Sequence, residues 1–263
     1  MIVNVNGTLQ TAALARIDPT DRGFTLGDGL FETMVARAGQ ILHLSAHLDR
    51  LRVGVQILRL PFRVNDAELN ERLRITLLAN GLSAGVLRLT LTRGPAGRGL
   101  MPSANRTPTV LITATPLPSP PQPVRAVIAT ITRRNQHSPL SRIKSLNALD
   151  NVLARQEADD RGAGEAVLLN TAGRLAETTI ANIFLVVSGT VLTPPVADGA
   201  LPGVMRADVM ARLGAIEAPL MPADLFRATE ILLTNTLSVR PLIAVDDQPV
   251  GGATQVQSTL AHS

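Results

Sequence analysis

The spacing of apolar residues predicts a chain that mixes helices with strands. One helix is predicted after Ser45, a potential capping residue, and another near 66–80. The apolar face of the first would consist of Leu48, Leu51, Val55 and Leu58, and that of the second of Leu69, Leu73, Leu77 and Leu78. In residues 86–92 (V-L-R-L-T-L-T), apolar and polar residues alternate instead, which is typical of a half-buried strand. Residues 21–29, rich in glycine, are predicted to form a loop, and the mixture of elements predicts an α+β fold.

A proline-rich stretch, P-L-P-S-P-P-Q-P at 116–123, interrupts this pattern. Proline cannot continue a helix or an interior strand. The stretch therefore predicts a linker between a small N-terminal domain at 1–115 and a larger C-terminal domain at 124–263.

Composition narrows the classes of function. The net charge is only +4, and the chain has five Phe but no Trp or Tyr. Without aromatic residues among clustered bases, nucleic-acid binding is not expected. The absence of cysteine is compatible with the cytoplasm, and the sequence shows neither a signal-peptide pattern nor an apolar run long enough to span a membrane. We therefore expect a cytoplasmic protein.

Lys144, within S-R-I-K-S-L-N, is the only lysine in a chain whose other basic residues are all arginine. A lysine is usually a surface charge, but arginine cannot act as an amine nucleophile at neutral pH. Lysine can form a Schiff base with a carbonyl compound. Lys144 is therefore a candidate attachment point for a carbonyl substrate or for pyridoxal phosphate (PLP).

PLP would also need a carboxylate facing its ring nitrogen and a binding site for its phosphate. Glu177 could supply the carboxylate, or it could be an ordinary acidic residue on the surface of a strand. L-P-G-V-M-R at 201–206 puts a glycine at a predicted helix start, where free N–H groups favour a phosphate. The same pattern also fits an ordinary junction between a loop and a helix.

Six segments, in order, resemble those of the PLP-dependent class IV aminotransferases, which have fold type IV. They are D-R-G-F-T-L-G-D-G-L-F-E-T (21–33), H-L-D-R-L (47–51), I-K-S-L-N (143–147), E-T-T-I-A-N-I-F (177–184), L-P-G-V-M-R (201–206) and L-T-N-T-L-S-V-R-P-L (233–242). The resemblance implies two lobes, a small N-terminal α/β lobe and a larger C-terminal lobe with a β-barrel-like core. It also implies a homodimer that acts on a small amine or amino acid. His43 and His47, four residues apart, could form a metal pair on a helix, but without cysteine or an evident third ligand no metal site is expected.

The resemblance assigns a role to individual residues. Lys144 would carry the Schiff base with PLP and serve as the catalytic acid and base, while Glu177 would face the ring nitrogen. The phosphate would be bound by Arg50, by the backbone at Val204 and Met205, and by Asn235 or Thr236.

The branch of the family depends on other residues. D-amino-acid aminotransferases bind the substrate carboxylate with a tyrosine and an R-x-H element. Here Arg98 is present, but Phe31 replaces the tyrosine and Leu100 the histidine. R-G-x-x-x-R-G at 93–99 and T-N-T-L resemble 4-amino-4-deoxychorismate lyases. We therefore expect such a lyase, with a transaminase of D-amino acids or R-amines as the alternative, and Phe31, Arg98 and Leu100 as substrate-binding residues.

Overall fold

The computed structural model describes residues 1–63, 65–102, 107–252 and 256. The chain forms two compact units, Met1–Pro118 with Ile143–Asn147, and Ser119–Arg142 with Ala148–Ser263. The segment that carries Lys144 thus belongs to the first unit, although it follows the proline-rich stretch in the chain. The domain boundaries expected from the sequence stay a prediction.

The first unit contains a sheet with helices packed against it. Its strands are β1 (Ile2–Val5), β2 (Thr8–Thr11), β3 (Gly29–Arg37), β4 (Gln40–Ile41), β5 (Gly85–Thr92) and β6 (Thr109–Thr115), and its helices are α1 (Arg22–Leu26), α2 (Leu44–Leu58) and α3 (Asp66–Ala79). Among the described residues the strand order is β2-β1-β6-β5-β3-β4, and neighbouring strands are antiparallel. Buried leucines of α2, α3 and β5 meet in one hydrophobic core, which also includes Ile143.

Three local predictions for this unit are wrong. Helix α2 begins at Leu44 after His43, so Ser45 lies inside the helix rather than at its cap. The glycine-rich segment contains α1, because the Asp21 carboxylate accepts the Gly23 N–H at its start. Leu78 is 51% exposed because the buried stripe of α3 runs along every fourth residue, Leu69, Leu73 and Leu77.

The second unit is built on a sheet that curls into a half-barrel. Its strands are β7 (Val124–Ile128), β8 (Glu165–Leu169), β9 (Leu175–Thr178), β10 (Asn182–Val187), β11 (Thr190–Thr193), β12 (Ile216–Glu217), β13 (Glu230–Asn235), β14 (Ser238–Val245) and β15 (Gln248–Pro249). The described strands follow the order β12-β11-β10-β13-β14-β7-β8-β9, with β15 paired to β14. Three pairs, β7 with β8, β7 with β14 and β11 with β12, are parallel.

The α-helices described in this unit are α4 (Leu149–Asp160), α5 (Val204–Leu213) and α6 (Pro222–Leu225). Buried apolar residues of β8, β10 and β13 form the main core, and α5 packs on a second cluster around Phe184 through Val209. Strands β8 to β10 are buried along nearly their whole length, as expected for strands covered on both faces. None of the helices in the described ranges is both long and apolar enough to cross a membrane.

Replacing Leu73 with alanine tests the core of the first unit. Leu73 has 0% of its surface exposed, so Leu73→Ala leaves a cavity and lowers the free energy of unfolding by about 2–5 kcal/mol. The measurement is a urea titration followed by circular dichroism. Leu78→Ala, on the exposed face of the same helix, is the control and changes stability by about 0.5 kcal/mol or less. Equal effects of the two substitutions would contradict this description of α3.

Candidate active site

The backbone around Lys144 is held against β3. The Phe31 N–H donates to the Lys144 carbonyl at 2.9 Å, and the Leu146 N–H donates to the Gly29 carbonyl at 3.0 Å. Gly29 permits this approach, because a Cβ there would stand 2.5 Å from the Leu91 carbonyl oxygen and 2.8 Å from a methyl carbon of Leu146. The five-residue segment is therefore pinned like a short additional strand.

Two cationic side chains approach the ring of Phe31. Lys144 Nζ lies 4.4 Å from the ring centroid and Arg88 Cζ lies 3.9 Å from it, both within the range of cation–π attraction. Desolvation lowers the pKa of Arg88, although arginine keeps its charge at any physiological pH. The structure thus brings two predicted site residues, Phe31 and Lys144, together in one cluster.

Arg88 was not predicted as a site residue. The signal in the sequence is a single charge within the otherwise uncharged strand V-L-R-L-T-L-T. An outward-facing position on a half-buried strand explains such a charge equally well, so the sequence alone does not distinguish the two roles. Only the fold shows that this position faces Phe31.

Arg50 belongs to a buried group of charges and polar atoms on α2 and β3. Its Nε donates to Glu32 Oε1 at 2.8 Å and its Nη2 to Glu32 Oε2 at 2.6 Å, while His47 Nδ1 lies 2.8 Å from Oε2. Burial opposes ionisation of Glu32, but the hydrogen bonds and charges of Arg50 and His47 outweigh it and lower its pKa. Glu32 therefore fixes the orientation of Arg50, whose role as a phosphate ligand stays a prediction.

Arg98 and Leu100 lie in the connection between β5 and β6, where both side chains are exposed. Two hydrogen bonds from Arg22 hold this connection: Nη1 donates to the Gly99 carbonyl at 2.9 Å, and Nη2 to the Leu100 carbonyl at 2.8 Å. Contact of Arg98 or Leu100 with a substrate stays a prediction.

Glu177 lies at the end of β9 in the second unit and is buried. Arg134 Nη2 lies 3.0 Å from its Oε1, and the Leu201 N–H donates to its Oε2 at 2.9 Å. Both partners stabilise the negative charge of a carboxylate removed from water. Arg134 also donates to the carbonyls of Gly199, at 3.2 Å, and Ser141, at 3.3 Å. The surface-glutamate interpretation is therefore wrong.

Val204 and Met205 form the first turn of α5, as predicted. Gly203 precedes them as N-cap residue, and no side chain in the described ranges caps this helix. A Cβ at Gly203 would come within 2.1 Å of Asn182 Oδ1, and the Asn182 amide itself donates to the Leu201 carbonyl at 2.9 Å. The glycine thus keeps the backbone close to β10 at a helix N-terminus that points its N–H groups outward.

The Asn235 side chain is occupied by its own turn. Its Oδ1 accepts the N–H groups of Leu237 at 2.9 Å and Ser238 at 3.1 Å, and its Nδ2 donates to the Ile180 carbonyl at 3.3 Å. These bonds shape the turn between β13 and β14 that also contains Thr236. Phosphate contact by Asn235 or Thr236 stays a prediction.

A fully buried carboxylate, Glu165, was missed by the sequence analysis. It accepts hydrogen bonds from Arg155 at 3.2 Å, from Arg240 at 2.9 Å and from the Thr179 N–H at 3.2 Å. Because Thr179 follows Glu177 by two residues, Glu165 holds the turn after the predicted ring-nitrogen partner. A lone glutamate at the start of an apolar strand gives little sequence signal for this role.

Comparison with known proteins places the chain in a family. Residues 29–245 match the family described as amino-transferase class IV. An aminodeoxychorismate lyase of Vibrio harveyi is 31% identical over 95% of this chain and 96% of its own length. A D-alanine aminotransferase of Bacillus licheniformis is 29% identical over 100% of this chain and 97% of its own. The solved structure of 4-amino-4-deoxychorismate lyase from Pseudomonas aeruginosa superposes with a TM-score of 0.87, at 32% identity, over 99% of this chain and 97% of that chain.

The chain belongs to the class IV aminotransferase family, since the family match covers most of its length. Its fold is fold type IV, and it is a PLP-dependent enzyme. The residues present fit this cofactor: an amine beside an aromatic ring, a buried carboxylate paired with an arginine, and an uncapped helix N-terminus with the close approach that Gly203 allows. The predictions of the family, the fold class and the cofactor are confirmed.

Substitution of Gly203 tests the helix N-terminus as a phosphate site. In Gly203→Ala the new methyl group displaces Asn182 and shifts the start of α5, an overpacking cost of about 1–3 kcal/mol that lowers PLP affinity about tenfold. PLP affinity is measured by titrating the cofactor-free protein. Gly252→Ala is the control, because a Cβ there meets no atom within 4 Å. Unchanged affinity in the Gly203 variant would remove α5 from the phosphate site.

Proposed function

We propose that this enzyme is a 4-amino-4-deoxychorismate lyase, which releases 4-aminobenzoate and pyruvate. The observation that carries the proposal is the cluster at Lys144, where the amine shares a phenylalanine ring with the guanidinium of Arg88. Arg98 and Leu100 are proposed to complete the substrate contacts with Phe31. The Vibrio harveyi and Pseudomonas aeruginosa proteins, both named as lyases, support the same choice.

The chemistry of the substrate suits this cluster. Aminodeoxychorismate is a cyclohexadiene with one carboxylate on its ring, a second carboxylate on its enolpyruvyl ether and an amino group on the neighbouring ring carbon. A phenyl ring at Phe31 offers an apolar surface without the hydroxyl that a tyrosine would supply. Arg88 offers a planar guanidinium that can bind a carboxylate through two hydrogen bonds. Arg98 is proposed to bind the second carboxylate.

The chain's own residues would hold the cofactor in complementary ways. Bound PLP supplies an electron-withdrawing ring that stabilises negative charge developing on the substrate. Lys144 Nζ is proposed to hold it covalently, and Glu177 to accept a hydrogen bond from its ring nitrogen. Val204 and Met205 would donate backbone N–H groups to the phosphate, together with Arg50 and either Asn235 or Thr236. The pairing of Glu177 with Arg134 supports its part, because the pair keeps a buried carboxylate oriented.

Lys144 would also move the protons of the reaction. With the substrate bound, Nζ would remove the proton from the ring carbon that bears the amino group. Cleavage of the bond between the neighbouring ring carbon and the enolpyruvyl oxygen then makes the ring aromatic. Return of that proton from Nζ to the enolpyruvyl methylene carbon completes the release of pyruvate.

A D-amino-acid transaminase is the second candidate. The Bacillus licheniformis relative, named D-alanine aminotransferase, favours it because the match covers the whole chain. Lys144 would then move a proton from the substrate Cα toward the cofactor. Phe31 and Leu100, which stand where this branch has tyrosine and histidine, speak against it.

We further propose that the enzyme is a homodimer in the cytoplasm, as the family resemblance implies. Light scattering of the purified enzyme at several concentrations tests the assembly. Fractionation of cells that express the full chain tests the location. A monomer, or a protein found outside the cytoplasmic fraction, would contradict the respective part.

One assay separates the two reactions. The purified enzyme, loaded with PLP, is given aminodeoxychorismate in one reaction and D-alanine with 2-oxoglutarate in another. We expect release of 4-aminobenzoate with pyruvate in the first and little glutamate in the second. Formation of glutamate alone would select the transaminase and overturn the lyase.

Lys144→Arg tests why a single lysine stands in this chain. Arginine keeps the positive charge beside Phe31 but cannot bind the cofactor covalently or exchange protons near neutral pH. We expect turnover to fall at least about a thousandfold and PLP to be lost from the denatured protein after borohydride reduction, as read by intact mass. Arg88→Lys, in the same cluster, is the control and retains covalent PLP. A Lys144→Arg variant that keeps both covalent PLP and turnover would contradict the assignment of Lys144 as the residue that binds PLP.

A further inference from the structure

We propose that Arg22, anchored by Asp28, is a positioning residue that fixes the substrate loop, defined as residues 97–100, and thereby sets the affinity for carboxylate substrates. The inference rests on the proposed function in one respect, the contact of Arg98 with a substrate carboxylate. Neither Arg22 nor Asp28 touches substrate in this proposal. Both act through the backbone that carries Arg98.

The side chain of Arg22 joins three partners although it lies in the short helix α1. Its Nε donates to Asp28 Oδ2 at 2.8 Å, and its two terminal nitrogens donate to the carbonyls of Gly99 and Leu100 at 2.9 and 2.8 Å. Arg22 is only 5% exposed. The two terminal nitrogens of a guanidinium lie in one plane at a fixed spacing, and here they bind the carbonyls of two consecutive residues. The two bonds therefore define the orientation of the loop backbone as well as its distance from Arg22.

Asp28 anchors a second arginine in the same way. Arg93 donates to it through Nε at 2.7 Å and Nη2 at 3.1 Å, while its terminal nitrogens donate to the carbonyls of Leu58 at 2.6 Å and Arg59 at 2.9 Å. Burial opposes ionisation of Asp28, but its hydrogen bonds and charge interactions with Arg93 and Arg22 outweigh it and lower its pKa. One carboxylate therefore orients two arginines that hold two different segments, the substrate loop and the end of α2.

The side chains of the substrate loop are exposed to solvent, as judged from the described residues. Leu100 is 80% exposed, the Arg98 side chain is exposed, and Gly99 has a φ of +111° with no atom within 4 Å of a Cβ. Apolar packing of these side chains therefore contributes little to the position of the loop, whereas the two hydrogen bonds from the buried Arg22 constrain its backbone directly. Because Arg98 directly precedes Gly99, any displacement of the Gly99 carbonyl also moves the Arg98 guanidinium.

Arg22→Gln tests the inference in the PLP-loaded enzyme. We expect KM for the carboxylate substrate that the enzyme turns over to rise on the order of ten- to a hundredfold, with kcat and PLP affinity close to those of the unmodified enzyme. Faster amide hydrogen exchange in the peptide containing Gly99 should accompany the change. A merely structural role of Arg22 would lower stability without this split between KM and kcat.

Arg93→Gln is the matched control, because it removes an equally buried partner of Asp28 (Arg93 is 8% exposed) without touching the loop. We expect it to leave KM and the exchange of the Gly99 peptide unchanged. If Arg22→Gln does not fold, Arg22→Lys replaces it in the same experiment. The lysine ammonium can pair with Asp28 but cannot bind the carbonyls of Gly99 and Leu100 at the same time. An equal rise of KM in the Arg93 variant would overturn the inference.

Arg98→Gln separates the inference from the function on which it rests. Should Arg98→Gln leave KM unchanged, the proposed substrate contact of Arg98 is wrong, and the inference is withdrawn with it. Should it raise KM while Arg22→Gln does not, Arg98 keeps its role and the positioning role of Arg22 is overturned. If the inference is right, the double variant Arg22→Gln/Arg98→Gln has the same KM as Arg98→Gln alone. Both substitutions remove the same interaction, the contact between Arg98 and the substrate carboxylate.

Discussion

The pairing of segment 143–147 with β3 is the constraint on which the lysine cluster depends. Two backbone hydrogen bonds, from Phe31 to Lys144 and from Leu146 to Gly29, fix the segment. Gly29 lacks the side chain that would collide with Leu91 and Leu146. Because the two backbones are hydrogen-bonded side by side, Lys144 and Phe31 are neighbours, and Nζ lies 4.4 Å from the centroid of the Phe31 ring.

Buried charges in both units are compensated by partners that also orient them. Glu32 orients Arg50, Arg134 accompanies Glu177, and Asp28 holds Arg22 together with Arg93. An isolated charge in these positions would lose its hydration without replacement, at a cost of several kcal/mol or more. Each arrangement meets that cost with hydrogen bonds in fixed directions. The same bonds that stabilise the charge therefore define where the functional group points.

Much of the fold was predictable, because periodic burial leaves a periodic pattern. Helix α3 and strand β5 agree with the apolar spacing, and the α+β class is confirmed. Two of the wrong predictions concern helix starts, which depend on local hydrogen bonds and backbone conformation rather than on apolar spacing. The Asp21 side chain caps α1 inside the glycine-rich segment. Helix α2 begins after His43, whose backbone adopts the left-handed conformation, and Ser45 does not cap it. The roles of Arg50, Asn235 and Thr236 as phosphate ligands stay predictions.

The sequence alone determined the family, the cofactor and the special status of Lys144, because these depend on residue types whose chemistry has no substitute. Lys144 stands alone in a chain otherwise built with arginine, and its role as the Schiff-base lysine stays a prediction. Tertiary structure alone decided that Arg88 faces Phe31, that Glu165 holds the turn after Glu177, and that Arg22 reaches the loop of Arg98. Each of these contacts joins residues that are distant in the chain. The local pattern of apolar and polar residues does not show which distant strands and loops come into contact.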